Sequence, residues 1–161
     1  ALRDIDLFTK FDRHIIVGAS LTFINEQDSN EWEKGASSPL DRIEMLKALK
    51  GAGVRTWASF EPVICPSQSI ALIERTLPYV DYYKIGKLNN YRGIDKGIDW
   101  ADFANQAISI LTTAGKDFYI KHDLREAAKL TDLTDRQKDQ DDMSVEPFPH
   151  TEDFSKHFGL S

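Results

Sequence analysis

The chain has 161 residues, 41% hydrophobic and 29% charged, a composition that suits one folded domain with a real core. No run approaches the roughly 20 apolar residues of a membrane helix, the start has no signal pattern, and the single cysteine, Cys65, excludes an internal disulfide and makes a cytoplasmic address the simplest reading. The net charge of −6 is uneven: residues 1–130 carry 17 Lys/Arg against 18 Asp/Glu, and residues 131–161 carry 3 against 8, so neither part has the broad basic footprint of a nucleic-acid binder.

Leu2, Ile5, Leu7 and Phe8 suit the end of an amphipathic helix, and the β-branched run that opens His14–Thr22 predicts a buried strand. Polar residues 25–36 read as a loop. Ser38, Pro39 and Asp41 then form a helix start, with Ser38 as cap, Pro39 at the first helical position and Asp41 returning the capping bond. Leu40, Ile43, Leu46 and Leu49 mark one expected buried face, and Gly51-Ala52-Gly53 stops the helix. Val54–Val63 predicts the second strand. A helix follows at about 67–77 with Ile70, Ile73 and Leu77 as its stripe. Tyr82–Leu88 is the third strand, and residues 89–98 are a polar loop. Asp99 caps a helix with Trp100, Phe103, Ala104, Ala107, Ile108 and Leu111 on its apolar face. Phe118–Lys121 is the fourth strand, followed by a short helix at about 123–130.

Strands alternating with helices of this length imply βαβ units and a parallel sheet. The expected fold class is therefore α/β, a partial (βα)-barrel of about four parallel strands over residues 1–130. Residues 131–161 read as an acidic, poorly structured tail, with Phe148, Phe154 and Phe158 as its candidate anchors. Gly51-Ala52-Gly53-Val54 and Thr113-Ala114-Gly115-Lys116 form a weak echo of one helix–Gly–strand unit.

Ligands of parallel α/β folds meet the carboxyl ends of the strands. That rule selects Ser20 and Thr22, Glu61, Lys87 with Asn89 and Asn90, and Lys121 with His122 and Asp123. Each also has a plain alternative. Ser20 can bond local backbone, Glu61 can pair with a nearby Lys or Arg, and Asn89 and Asn90 can form a turn. Lys84 and Lys87 point oppositely if their strand is regular, so at most one faces a barrel interior. Cys65 reads as an inert loop thiol and Trp32 and Trp57 as packing residues. Arg42 reads as a structural partner of Glu33 or a strand-end acid. His14, His122, His150 and His157 lack the paired spacing of a metal site.

Val17-Gly18-Ala19-Ser20-Leu21-Thr22, the run Trp32 to Arg42 with its Gly-Ala-x-x-Pro-x-x-Arg spacing, and Phe60-Glu61-Pro62-Val63 together resemble the second half of a radical S-adenosylmethionine (SAM) core. The resemblance is closest to the group related to spore photoproduct lyase. Tyr83 to Tyr91 fits the next strand, and the similarity covers about residues 1–126. It implies a partial barrel in which three thiolates of a Cys-x-x-x-Cys-x-x-Cys motif hold a 4Fe-4S cluster. That cluster chelates and cleaves SAM to a radical that abstracts a substrate hydrogen. It also implies cofactor-binding roles for Ser20, Glu61, Asn89 and Asn90, and leaves the catalytic residues unknown. With one cysteine, this chain alone is expected to bind neither cluster nor cofactor. The expected partner is a missing N-terminal half of the same polypeptide, about 100 residues long by the usual size of βα units, carrying the three cysteines. Open sheet edges also suggest self-association. Neither a membrane nor a nucleic acid is an expected partner, although Lys84, Lys87, Arg92 and Lys96 form a small basic cluster. Two other functions remain open: a different barrel enzyme using Lys84 or Lys121 as a Schiff-base amine with Glu61 as acid or base, or a non-catalytic half-barrel that binds or assembles.

Overall fold

The computed structural model describes residues 2–88 and 97–138. Short turns flank helix α1 (Ile5–Phe8) and lead into strand β1 (Ile16–Ser20). Helices α2 (Glu26–Trp32) and α3 (Pro39–Gly51) precede β2 (Arg55–Phe60), and α4 (Pro66–Thr76) precedes β3 (Tyr82–Ile85). Helix α5 (Trp100–Thr113) precedes β4 (Asp117–Ile120), followed by α6 (His122–Ala128) and α7 (Asp135–Lys138).

The four strands lie side by side in chain order, every pair parallel. Ala58, Phe60, Tyr83, Ile85, Phe118 and Ile120 are buried in one cluster with residues of α3, α4, α5 and α6. All the crossover helices therefore cover the same face. A doubly wound sheet would reverse its strand order and cover both faces. Sequential order with one covered face is a segment of a (βα)-barrel.

The helices form where their ends are signalled. The Ser38 hydroxyl accepts from the Asp41 amide at 3.1 Å, with Pro39 in the first turn of α3. The Asp99 carboxylate accepts from the Asp102 amide at 2.9 Å to start α5. Gly53 and Gly115 end α3 and α5 at φ 83° and 63°. In each case the next amide reaches back five residues, Val54 N–H to the Leu49 carbonyl at 3.0 Å and Lys116 N–H to the Leu111 carbonyl at 2.9 Å. The echo between the two segments is this shared left-handed cap. Ile43, Leu46, Leu49, Leu72, Ile73, Phe103 and Leu111 are almost fully buried, and each such aliphatic or aromatic side chain contributes about 1.5–3 kcal/mol of transfer free energy.

Three expectations are corrected. Residues 25–36 are not all loop, because Glu26–Trp32 is helical, with the Asn25 side chain accepting from the Gln27 amide at 2.8 Å and the Asp28 amide at 3.2 Å. Leu40 is 55% exposed. A strict three-residue spacing drifts about 60° per step around a helix of 3.6 residues per turn, so Leu40 and Leu49 fall on opposite sides of α3. The strands are also shorter than their hydrophobic runs. Leu21 and Val63 lie past the strand ends yet are buried, so their apolarity reports loops folded back into the core.

Leu133, within the segment read as tail, belongs to the core cluster. Arg136 of α7 donates to Asp117 at 3.0 Å. The anchors expected at Phe148, Phe154 and Phe158 lie outside the described residues, as do Asn89, Asn90, Arg92 and Lys96.

Candidate functional site at the carboxyl end of the sheet

The face of the sheet turned away from the helices is polar and aromatic. Register places Ser20 beside Ser59, Ser59 beside Lys84, and Lys84 beside Tyr119. Residues paired across parallel strands share a face, so these four form one row across the carboxyl half of the sheet. The row beneath it contains Gly18, Trp57 and Tyr82.

Gly18 is required there by space. A Cβ at this position would lie 2.2 Å from the Trp57 carbonyl oxygen and 2.5 Å from an indole carbon. The indole lies against the bare backbone of β1, and the Lys84 ammonium sits over its ring, 4.7 Å from the centroid. Lys84 is only 8% exposed, and the ring face offers this cation an electrostatic partner that costs little desolvation. Trp57 is thus a packing residue, as expected, and also supports the lysine.

One row further toward the mouth stand Glu61, Gly86 and Lys121, each two residues beyond Ser59, Lys84 and Tyr119. The ladder continues into this row, with Gly86 N–H donating to the Phe60 carbonyl at 3.0 Å and Lys121 N–H to the Ile85 carbonyl at 2.8 Å. The Lys121 ammonium donates to the Glu61 carboxylate. Their strands, β2 and β4, are not neighbours, so the ion pair crosses above β3. Gly86 leaves room for the crossing: a Cβ there would crowd Glu61, at 3.0 Å from its carboxyl carbon and 3.1 Å from its Cβ. Both side chains are 27% exposed. Burial pulls the Lys121 ammonium below the ordinary lysine range, and the Asp123 charge opposes that shift.

The Ser20 side chain is exposed, and its carbonyl accepts from Arg42 Nη1 at 2.9 Å. The same nitrogen donates to Glu33 at 2.9 Å, and Arg42 Nε donates to the Ser37 carbonyl at 3.0 Å. Glu33 also accepts from the Ser29 hydroxyl at 3.1 Å and the Thr22 hydroxyl at 3.4 Å. The Arg42–Glu33 pairing read from the sequence is present, and it ties α2 and α3 to the end of β1.

The structure brings Ser20, Glu61 and Lys121 to one end of the sheet and gives Glu61 the lysine partner of its plain alternative. It separates Lys87, whose ammonium lies 5.6 Å from the Trp100 ring centroid on the helix side. Lys84 and Lys87 therefore do not make an exposed basic cluster. The Cys65 thiol lies 3.4 Å from the Ser67 hydroxyl just before α4. Trp32 is half exposed beside Phe23. Ser59, Tyr119 and Gly86 were missed, although a period-two signal was present in Trp57-x-Ser59-x-Glu61, Tyr82-x-Lys84-x-Gly86 and Asp117-x-Tyr119-x-Lys121.

These features define an open partial (βα)-barrel whose polar mouth lies at the carboxyl strand ends. No family model and no curated protein matches the chain. Among solved structures, it is similar to SuiB of Streptococcus suis, with a TM-score of 0.55 at 17% identity over 80% of this chain and 32% of SuiB. SuiB bound to S-adenosylmethionine gives 0.55 at 16% identity over 81% and 32%. SuiB bound to the precursor peptide SuiA gives 0.57 at 18% identity over 78% and 30%. The likeness is one of fold. It gives no support to the spore photoproduct lyase-related group in particular. The chain spans about a third of the length of SuiB. Among the described residues, no helix is long and apolar enough to cross a membrane.

Proposed function

We propose that this chain is the SAM-facing and substrate-facing part of a radical SAM enzyme core, inactive without residues outside it. One observation carries the reading: Ser20, Glu61, Lys84 and Lys121 converge at the carboxyl end of a singly wound parallel sheet, on the face opposite α3, α4 and α5. That is where barrels of this type bind ligands. The likeness in fold to SuiB bound to S-adenosylmethionine supports the choice of ligand.

The residues do not fit a 4Fe-4S cluster. Such a cluster needs several thiolates, and the chain has one cysteine, beside Ser67 at the start of α4. The mouth does fit SAM in kind. The exposed Ser20 hydroxyl suits a ribose or carboxylate oxygen, and the Glu61 carboxylate suits an ammonium or hydroxyl donor. Asn89 and Asn90 complete the proposed set. When bound, SAM brings an adenosyl group activated by its sulfonium.

The test is the reading frame upstream of Ala1. It should encode Cys-x-x-x-Cys-x-x-Cys, and the complete protein, purified without oxygen, should be brown and should cleave SAM when reduced. The 161-residue chain should be colourless and bind SAM weakly or not at all. A frame without the three-cysteine spacing ends this proposal.

One observation favours the Schiff-base reading: burial lowers the Lys121 ammonium beside a carboxylate suited to proton transfer. The same ion pair favours the charged amine, which is not nucleophilic. Borohydride trapping of a simple aldehyde on Lys121, lost in Lys121→Arg, would move this reading to first place.

A further inference from the structure

We infer that the Glu61–Lys121 bridge is a displaceable gate that selects a substrate bearing a carboxylate, whose carboxylate takes the place of the Glu61 carboxylate on Lys121. This rests on the reading of the carboxyl end as a ligand site and names the substrate class.

Three observations carry it. The pair crosses the sheet mouth from β2 to β4 and passes closely over β3 at Gly86, where a Cβ would stand 3.0 Å from the Glu61 carboxyl carbon. It therefore lies across the way to the row beneath, where Lys84 is buried over Trp57. A pair used only for stability needs neither a long crossing nor a bare glycine, since neighbouring strands offer shorter routes. Both partners are partly solvated, so exchanging one carboxylate for another costs little. Once Glu61 has moved aside, a guest carboxylate meets Lys121 at the mouth and Lys84 one row deeper, two cations on one face. A phosphate-bearing nucleic acid is disfavoured, because residues 1–130 carry 17 Lys/Arg against 18 Asp/Glu and provide no steering field.

The test follows the lysine side-chain amine resonances of the 161-residue chain, labelled with ¹⁵N-lysine, during titration with sodium acetate at constant ionic strength held with chloride. Lys121 and Lys84 should shift saturably. Glu61→Gln removes the competing carboxylate and should tighten acetate by up to about fivefold, the worth of a partly exposed pair. Lys121→Met should abolish the Lys84 shift, while Lys121→Arg keeps it and controls for loss of fold. Inorganic phosphate should bind no tighter than acetate. Non-saturable shifts, weaker binding in Glu61→Gln, or tighter binding of phosphate would each overturn the inference. The cofactor reading is judged apart, by SAM cleavage in the complete protein. A protein that cleaves SAM while its lysines ignore acetate overturns the gate alone.

Discussion

The two ends of the sheet use the same residue types for different ends. At the amino end, Asp81 accepts from the Thr56 amide at 2.9 Å, from the Thr56 hydroxyl at 3.3 Å and from Lys50. The Thr56 hydroxyl also donates to the Tyr79 carbonyl at 2.6 Å, and Lys116 donates to the Val80 carbonyl at 2.9 Å. These bonds tie β2, α3 and the entry to β4 to the loop entering β3, and they join elements that are adjacent in the sheet or packed on it. At the carboxyl end, Glu61 and Lys121 reach across an intervening strand. The lesson is that an acid–base pair is structural when it satisfies backbone at the place where the chain turns, and is a candidate for ligand work when it spans a gap. Barrels divide labour in this way between their stable and ligand-binding ends.

The comparison can be broken or sharpened by substitution. The largest effect should come from Gly18→Val, on the floor of the inner face. Backbone and indole of Trp57 both block a side chain there, so a loss of about 3 kcal/mol is expected in chemical denaturation. Asp81→Asn should come next, at about 1–3 kcal/mol, because buried donors lose a charged acceptor. Its pH signature tells the ends apart. Burial pushes the Asp81 carboxyl up, but hydrogen bonds from Lys50 and Thr56 together with the Lys50 charge outweigh this and hold it below the ordinary carboxylate range. The folded value is depressed, so the stabilisation is full above the ordinary carboxylate range and fades as pH falls through the folded value. Thermal melting of the wild type should lose this contribution toward acid pH, and Asp81→Asn should lack that part of the slope.

Smaller effects belong to the mouth. Glu61→Gln should cost no more than about 1 kcal/mol, as for a partly solvated pair, while changing ligand binding as described above. A large stability loss here, equal to that of Asp81→Asn, would erase the distinction between the ends. The smallest effect should come from Leu40→Glu, within about 0.5 kcal/mol for an exposed position. A loss of several kcal/mol there would restore the buried face read from the sequence.

The order of strands and helices was legible because β-branched runs, helix caps and glycine stops agree at each boundary. Ser38, Asp99, Gly53 and Gly115 all act as their chemistry indicates. Helix α2 escaped because Glu26–Trp32 is polar nearly throughout, although Asn25 is a strong cap residue. The site was legible in part. Ser20, Glu61 and Lys121 follow from the strand-end rule alone. Their company does not, because the register among β2, β3 and β4 decides which polar residues share a row. The role of Gly86 was invisible for a related reason: its missing Cβ matters only once Glu61 is known to lie above it. Lys84 read as a surface or interior lysine with equal ease, and the register with Ser59 and Tyr119, together with the indole beneath it, decides for the interior.

The most direct measurement is photo-crosslinking of an azido-adenosyl analogue of SAM to the complete protein, purified without oxygen, with the labelled peptides mapped by mass spectrometry. Labels confined to the carboxyl strand ends, in the segments around Ser20, Glu61, Asn89 and Lys121, and competed away by SAM, are the predicted result. Competable labels at the amino end, around Lys50, Asp81 and Lys116, or none within this chain, would contradict the assignment of its ligand-binding face.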